Sequence, residues 1–156
     1  MKILTLFRHA KTERDSTTGR DFDRQLNERG EQDSPRIGEE IRRLGLEYDL
    51  VLSSPARRAA QTAQLAGLAP QYDERIYDAS AGDLLAIVQE TDDVTGRLMM
   101  VGHNPGFERL ASRLIGEDLE MPTGSLAEIE LPIEAWSDAG DGRGRLIRFL
   151  KPKELD

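Results

Sequence analysis

The chain has 156 residues, 38% hydrophobic and 32% charged, with a formal net charge of −8. That length suits one domain, expected over residues 1–156, while the acidic balance argues against a nucleic-acid or anionic-membrane binder. No cysteine is present, which removes disulfides, thiolate nucleophiles and thiolate metal sites; no apolar run approaches the roughly 18–20 residues of a membrane span, and no leader-like segment opens the sequence, so a cytoplasmic protein is the expectation.

In chain order, Ile3 to Phe7 is a short apolar run suited to a strand buried on both faces, and it delivers Arg8, His9 and Lys11 at its end. Glu13 to Arg24 is polar and reads as a loop beside that point. A helix follows with Asn27 as N-cap. Pro35 breaks or kinks it, unless Ser34 caps a fresh start with the proline in the first turn. Ile37, Ile41 and Leu44 then form one helical face that Gly45 closes.

Tyr48 to Ser53 repeats the opening pattern of a short apolar strand, and Ala56 to Gly67 reads as a helix with Arg57 and Arg58 in its first turn. Cations are disfavoured there by the helix dipole unless an anion sits nearby, and helix N-termini bind anions readily. A strand is expected at Glu74 to Tyr77, then Ser80 leads into a helix carrying Leu84, Leu85 and Val88. Arg97 to Val101 is a further buried strand, and it ends in Gly102-His103-Asn104-Pro105-Gly106. Phe107, Leu110, Ala111, Leu114 and Ile115 give the clearest helical period in the chain. Two final strands, Leu126 to Leu131 and Arg145 to Leu150, flank a Gly/Asp-rich turn. The alternation implies a three-layer α/β/α sandwich with a mainly parallel sheet.

Three strand ends thus carry related cargo: Arg8 with His9, Arg57 and Arg58 beyond Ser54, and His103. Ligands of open α/β sheets bind at the carboxyl ends of the strands, so these groups can converge. Arginine offers a planar fork to phosphate oxygens and a neutral imidazole can act as nucleophile. Two histidines without cysteine make a poor zinc site, so no metal or other cofactor is expected.

Arg8-His9-Ala10-Lys11-Thr12 resembles the Arg-His-Gly signature of the histidine phosphatase superfamily (phosphoglycerate-mutase-like), with Ala10 in place of the usual glycine. Ser53-Ser54-Pro55-Ala56-Arg57-Arg58-Ala59-Ala60-Gln61-Thr62-Ala63 is similar to its second motif and Val101-Gly102-His103-Asn104-Pro105-Gly106 to its third. Ala10 and the Asn-Pro-Gly after His103 resemble the compact SixA-type branch, the phosphohistidine phosphatases, as do Pro122 to Ser125 and Phe149 to Lys153. The resemblance implies a phosphoglycerate-mutase-like fold without a large helical lid. It implies His9 as nucleophile, with Arg8, Arg58 and His103 holding the phosphoryl oxygens, and Lys11 and Asn104 among the substrate-binding residues. Motif alignment favours Arg58 over Arg57, which becomes a surface or substrate-facing residue. Larger members place an acidic residue between the second and third motifs; Asp78 is the candidate proton donor, with Glu74 behind it. Asp23-Arg24 resembles a pair common in this branch. The implied substrate is a phosphorylated protein, phosphohistidine foremost. A small-molecule phosphomonoesterase or mutase, or a non-catalytic phosphate-recognition module, remain the alternatives.

Overall fold

The computed structural model describes residues 1–155. Six strands form one sheet: β1 (Lys2–Arg8), β2 (Leu50–Ser53), β3 (Gln71–Tyr72), β4 (Arg97–Gly102), β5 (Leu126–Leu131) and β6 (Arg145–Leu150). Their spatial order is β3-β2-β4-β1-β5-β6. The four strands β3, β2, β4 and β1 run parallel, whereas β5 lies antiparallel to β1 and β6 antiparallel to β5. Four helices cover the two faces: α1 (Glu28–Arg43), α2 (Arg57–Leu65), α3 (Ala81–Gln89) and α4 (Gly106–Ile115). Alternation along β1 and β4 divides the core accordingly. Phe7, Met99 and Val101 pack against Ile37 and Ile41 of α1 and Ala59 and Ala63 of α2. Leu4, Leu6, Leu98 and Met100 pack against α3 and α4 through Leu84, Val88, Phe107 and Leu110. The expected three-layer sandwich is what forms, and only α3 and a single 3₁₀ turn stand between α2 and β4 beyond β3.

Register sets up the site. Ser53 pairs with Val101, and Val101 pairs with Phe7, so the carboxyl ends of β2, β4 and β1 stop level with one another. The next residues in each case are Ser54, Gly102-His103 and Arg8-His9.

Two expectations are corrected. The helix is not interrupted at Pro35: α1 runs unbroken through it, with Asn27 Oδ1 accepting from Gly30 N at 2.9 Å at its start and Ser34 Oγ donating to Gly30 O at 2.8 Å. Burial of Ile37 and Ile41 beyond the proline outweighs one missing backbone donor. Glu74 to Tyr77 is not a strand. Glu74–Ile76 is a 3₁₀ turn, capped by Asp73 accepting from Arg75 N at 3.0 Å, and the edge strand is the pair Gln71–Tyr72 upstream. The turn sends Ile76 into the core and leaves Tyr77 over the strand ends.

Close backbone approaches hold the helices in place. A Cβ on Gly30 would stand 2.1 Å from the Lys11 carbonyl oxygen, and one on Gly38 would stand 2.3 Å from that of Ala66. Both positions of α1 therefore require glycine: the first seats the helix on the loop after β1, the second on the end of α2.

Candidate active site

His9 leaves β1 pinned on three sides by its neighbours. Its own N–H donates to Gly102 O at 3.0 Å, the preceding Arg8 N–H donates to Ser125 O at 3.0 Å, and its carbonyl accepts from Gly124 N at 2.8 Å. The ring is buried, and Nδ1 donates to Ala10 O at 2.8 Å. That bond puts the proton on Nδ1 and the lone pair on Nε2. Burial pushes the imidazole pKa down to about 4, against the smaller raising effect of the Ala10 bond, and the charges of Arg58, Arg8 and Arg24 lower it further. The ring is neutral in the physiological range, as a nucleophile must be.

His103 faces it, the two ring centroids 5.2 Å apart and the planes inclined at 56°. Its Nε2 lies 2.8 Å from the Oγ of Ser54, the residue just past β2, while Nδ1 is buried without a partner among the described residues. Burial, then the charges of its His9 and Arg58 neighbours, hold this ring's pKa down to about 3. Tyr77 closes over it edge-on, at 5.6 Å between centroids.

Two guanidinium groups complete the cluster. Arg8 donates from Nη1 to Met121 O at 2.8 Å, and its buried Nε has no partner. Arg58 is only 6% exposed, although it sits in the first turn of α2. Its Nη1 donates to the backbone oxygen of Asp21 at 2.8 Å and its Nη2 to the Asp21 carboxylate at 3.0 Å. Arg57, one residue earlier, is exposed. Two buried nitrogens without a partner, Arg8 Nε and His103 Nδ1, beside two guanidinium groups suit a multiply charged oxyanion.

Comparison with known proteins follows the same line. The model of the histidine phosphatase superfamily (branch 1) matches residues 4–121. The chain belongs to the histidine phosphatase superfamily. An uncharacterized chloroplastic protein of Arabidopsis thaliana, At3g52155, is 31% identical over 169 residues, covering 96% of this chain and 77% of its own. SixA from Agrobacterium tumefaciens is 33% identical with a TM-score of 0.82, covering 97% of this chain and 98% of that one. The protein histidine phosphatase SixA complexed with tungstate superposes with a TM-score of 0.84 at 21% identity, over 99% of each chain. Within the superfamily this is a SixA-type member with the phosphoglycerate-mutase-like fold and no large lid.

The second signature motif of the superfamily also builds the site from behind. Thr62 Oγ1 accepts from Ala10 N at 3.0 Å and donates to Arg58 O at 2.8 Å, so one hydroxyl couples the loop after His9 to the turn that carries Arg58. Gln61 accepts from Leu26 N at 2.8 Å. Sequence reasoning saw these residues only as part of a motif.

It missed Asp21 and Tyr77 altogether. Asp21 lies in a 3₁₀ turn (Asp21–Asp23) of the loop after β1. Its carboxylate takes Arg58, then Arg24 Nη1 at 3.0 Å and the Tyr77 hydroxyl at 2.8 Å. Tyr77, Arg24 and Arg58 hold that carboxyl far below the ordinary range, against a raising effect of desolvation. Arg24 also donates to Thr12 Oγ1 at 2.5 Å and to Glu13 O at 3.1 Å, which gives the Asp23-Arg24 pair its use: the arginine ties the loop shut.

The other expected residues are dispersed. Asn104 spends its side chain on the scaffold, donating from Nδ2 to Glu108 Oε1 and Met121 O, each at 2.9 Å, and accepting from Glu108 N at 3.1 Å. It frames the site by holding the Met121 carbonyl that Arg8 uses, and it has no donor left for substrate. Lys11 is exposed two residues beyond His9. Asp78 is exposed beside Tyr77 with a left-handed φ of 56°, and Glu74 is exposed in the 3₁₀ turn.

Proposed function

We propose that the chain is a phosphohistidine phosphatase that works through a covalent phosphohistidine of its own, on His9. The observation that carries this is the neutral, Nδ1-pinned ring of His9 opposite His103 at 5.2 Å, with Arg8 and Arg58 supplying donors to the same space. In the first step the Nε2 lone pair forms a P–N bond while the bond from phosphorus to the substrate imidazole breaks. The leaving nitrogen takes up a proton. In the second, water adds to phosphorus, the P–Nε2 bond breaks and inorganic phosphate departs, its proton passing to solvent.

His103 serves as donor to a phosphoryl oxygen. Ser54 Oγ accepts from Ala56 N at 3.2 Å; with its hydroxyl hydrogen turned to His103 Nε2, the ring proton sits on the unpartnered Nδ1. Arg8 and Arg58 offset the charge that builds on the oxyanion, the kind of fixed electrostatics that dominates phosphoryl transfer. Asp21, held ionised by its three partners, is a poor acid; the leaving imidazole nitrogen takes its proton from solvent at the open site or from Asp78, the exposed carboxylate next to Tyr77. The short stretch between α2 and β4 leaves the approach open, which suits a phosphorylated side chain on a protein better than an enclosed metabolite. Likeness to SixA proteins supports the same substrate class.

The test is to react the enzyme with a phosphohistidine-bearing carrier protein, quench in alkali and map the modified residue. Label on His9, turnover lost in His9→Ala, and a preference for the carrier over p-nitrophenyl phosphate are the expected results. Label on any other residue sinks the mechanism, and a strong preference for small phosphomonoesters sinks the substrate.

A further inference from the structure

We infer that the groove beside the active site, bounded by α1 and the C-terminal segment, is a docking site for an acidic polypeptide segment flanking the target residue of the substrate protein. The inference rests on the function proposed above and adds to it the chemistry by which a substrate is chosen. The groove has a volume of about 390 Å³ and is lined by Lys11, Arg29, Lys151 and Lys153, with Asp33 and the Pro122-Thr123 loop. Four cations thus face one carboxylate, in a chain whose net charge is −8. On an acidic protein such a local excess sets up a field opposite to that of the rest of the surface.

Two of the cations are already balanced. Arg29 Nε stands 3.0 Å from Asp33 Oδ1, and Lys151 Nζ stands 2.7 Å from Glu154. The Lys11 and Lys153 side chains are exposed and, among the described residues, make neither hydrogen bond nor ion pair, so their charges are available to an incoming anion. The groove also borders the nucleophile. Its Pro122-Thr123 wall leads into Gly124, whose N–H binds the His9 carbonyl at 2.8 Å, and Lys11 follows His9 by two residues. A chain bound along it would therefore continue from a residue presented to His9.

The occupant follows from the lining. Every cation but one is a lysine, a mobile point charge rather than a rigid fork, and three of the four are exposed. Such a surface selects for several carboxylates in an extended chain, and not for one tightly chelated small anion. The stretch Phe149 to Lys153 that supplies two of the lysines thereby acquires a use that the phosphoryl chemistry does not give it.

The experiment uses two synthetic phosphohistidine peptides that differ only in their flank, three glutamates against three glutamines, and the Lys151→Glu/Lys153→Glu double variant of the full chain. Wild type should favour the acidic peptide in kcat/KM on the order of tenfold at low ionic strength, chiefly through KM, as a few exposed charge contacts would give. The preference should fade at about 0.5 M salt, where screening is nearly complete at these distances. The double variant should lose or invert it while hydrolysing p-nitrophenyl phosphate at the wild-type rate. A separate arm measures binding of the unphosphorylated acidic peptide by fluorescence anisotropy, with binding expected for wild type and not for the variant. If neither phosphohistidine peptide is hydrolysed, the proposed function fails, while the anisotropy arm still decides the groove. Equal kcat/KM for the two peptides in wild type, a preference that survives charge reversal, or no anisotropy difference between wild type and variant overturns the docking site.

Discussion

Asp21→Asn tests how much the site owes to a residue that never touches phosphorus. Its carboxylate receives hydrogen bonds from Arg58 at 3.0 Å, Arg24 at 3.0 Å and Tyr77 at 2.8 Å. Charge-assisted bonds of this kind contribute about 1.5–3 kcal/mol each when buried. The Asp21 side chain is 52% exposed, so screening cuts each to roughly 0.5–1 kcal/mol, and asparagine keeps part of the acceptor capacity. The net loss is about 1–2 kcal/mol, which corresponds to roughly a 5- to 30-fold fall in kcat/KM. The loss acts through the orientation of Arg58, because the backbone oxygen of Asp21 still accepts from Nη1. The assay is p-nitrophenyl phosphate hydrolysis near neutral pH with inorganic phosphate as competitive inhibitor, and thermal unfolding as a check on the fold. Both kcat/KM and phosphate affinity should fall, and Tm should drop by roughly 2–8 °C, because the same bonds hold the folded loop. A variant that is faster, or binds phosphate more tightly, refutes this reasoning and makes Asp21 a competitor for the arginine rather than its support.

Four further outcomes follow from the same geometry. Both imidazoles bind fewer protons folded than unfolded between pH 6.5 and their buried values of about 4 and 3, so their stability contribution is complete above pH 6.5 and is lost as pH falls through that window; urea unfolding from pH 8 to 4 should show a drop of a few kcal/mol, and an unchanged midpoint would contradict the burial argument. The acid limb of kcat/KM for p-nitrophenyl phosphate should accordingly lie well below pH 6.5, unless His9 is not the nucleophile. Gly30→Ala forces a Cβ to 2.1 Å from a carbonyl that is already fixed by Asn27 N, and should destabilise by about 3 kcal/mol, lowering Tm by roughly 6–12 °C; a thermal melt decides it. Ser54→Ala removes the partner of His103 Nε2 and frees the ring to change tautomer, so kcat should fall about tenfold with less change in KM, as steady-state kinetics would show.

The parts of this molecule written in the sequence are those that repeat. Apolar runs at Ile3 to Phe7 and Arg97 to Val101, and the helical period from Phe107 to Ile115, announce elements whose faces are fixed by burial, and the motifs at their ends place His9, Arg58 and His103. Arg58 in the first turn of α2 was legible as an anomaly of charge against dipole, and its depth of burial bears that out. Asp21 was not legible. It lies in a loop with no periodicity, and its partners come from positions 24, 58 and 77, so only the folded chain puts them together. The strand expected at Glu74 to Tyr77 fails for a related reason. A two-residue edge pair such as Gln71–Tyr72 has too little apolar pattern to be seen, while Ile76 and Tyr77 mimic alternation and in fact turn inward for separate purposes. Pro35 shows the converse, a strong local breaker overruled by the two isoleucines packed beyond it.

β1 lies between β4 and β5, and its last residues are tethered to both neighbours as well as to Gly124. Opening the backbone at His9 thus means dismantling the middle of the sheet, so its amide should exchange with solvent only as fast as the whole molecule unfolds. The loop that carries Asp21 is closed at its neck by Glu13 N to Gln25 O at 2.9 Å and Asn27 N to Lys11 O at 3.0 Å, but beyond that neck it meets the rest of the site only through Arg58 and Tyr77. Any give around a bound phosphate therefore falls to that loop before it reaches the sheet, and the attacking nitrogen keeps its place.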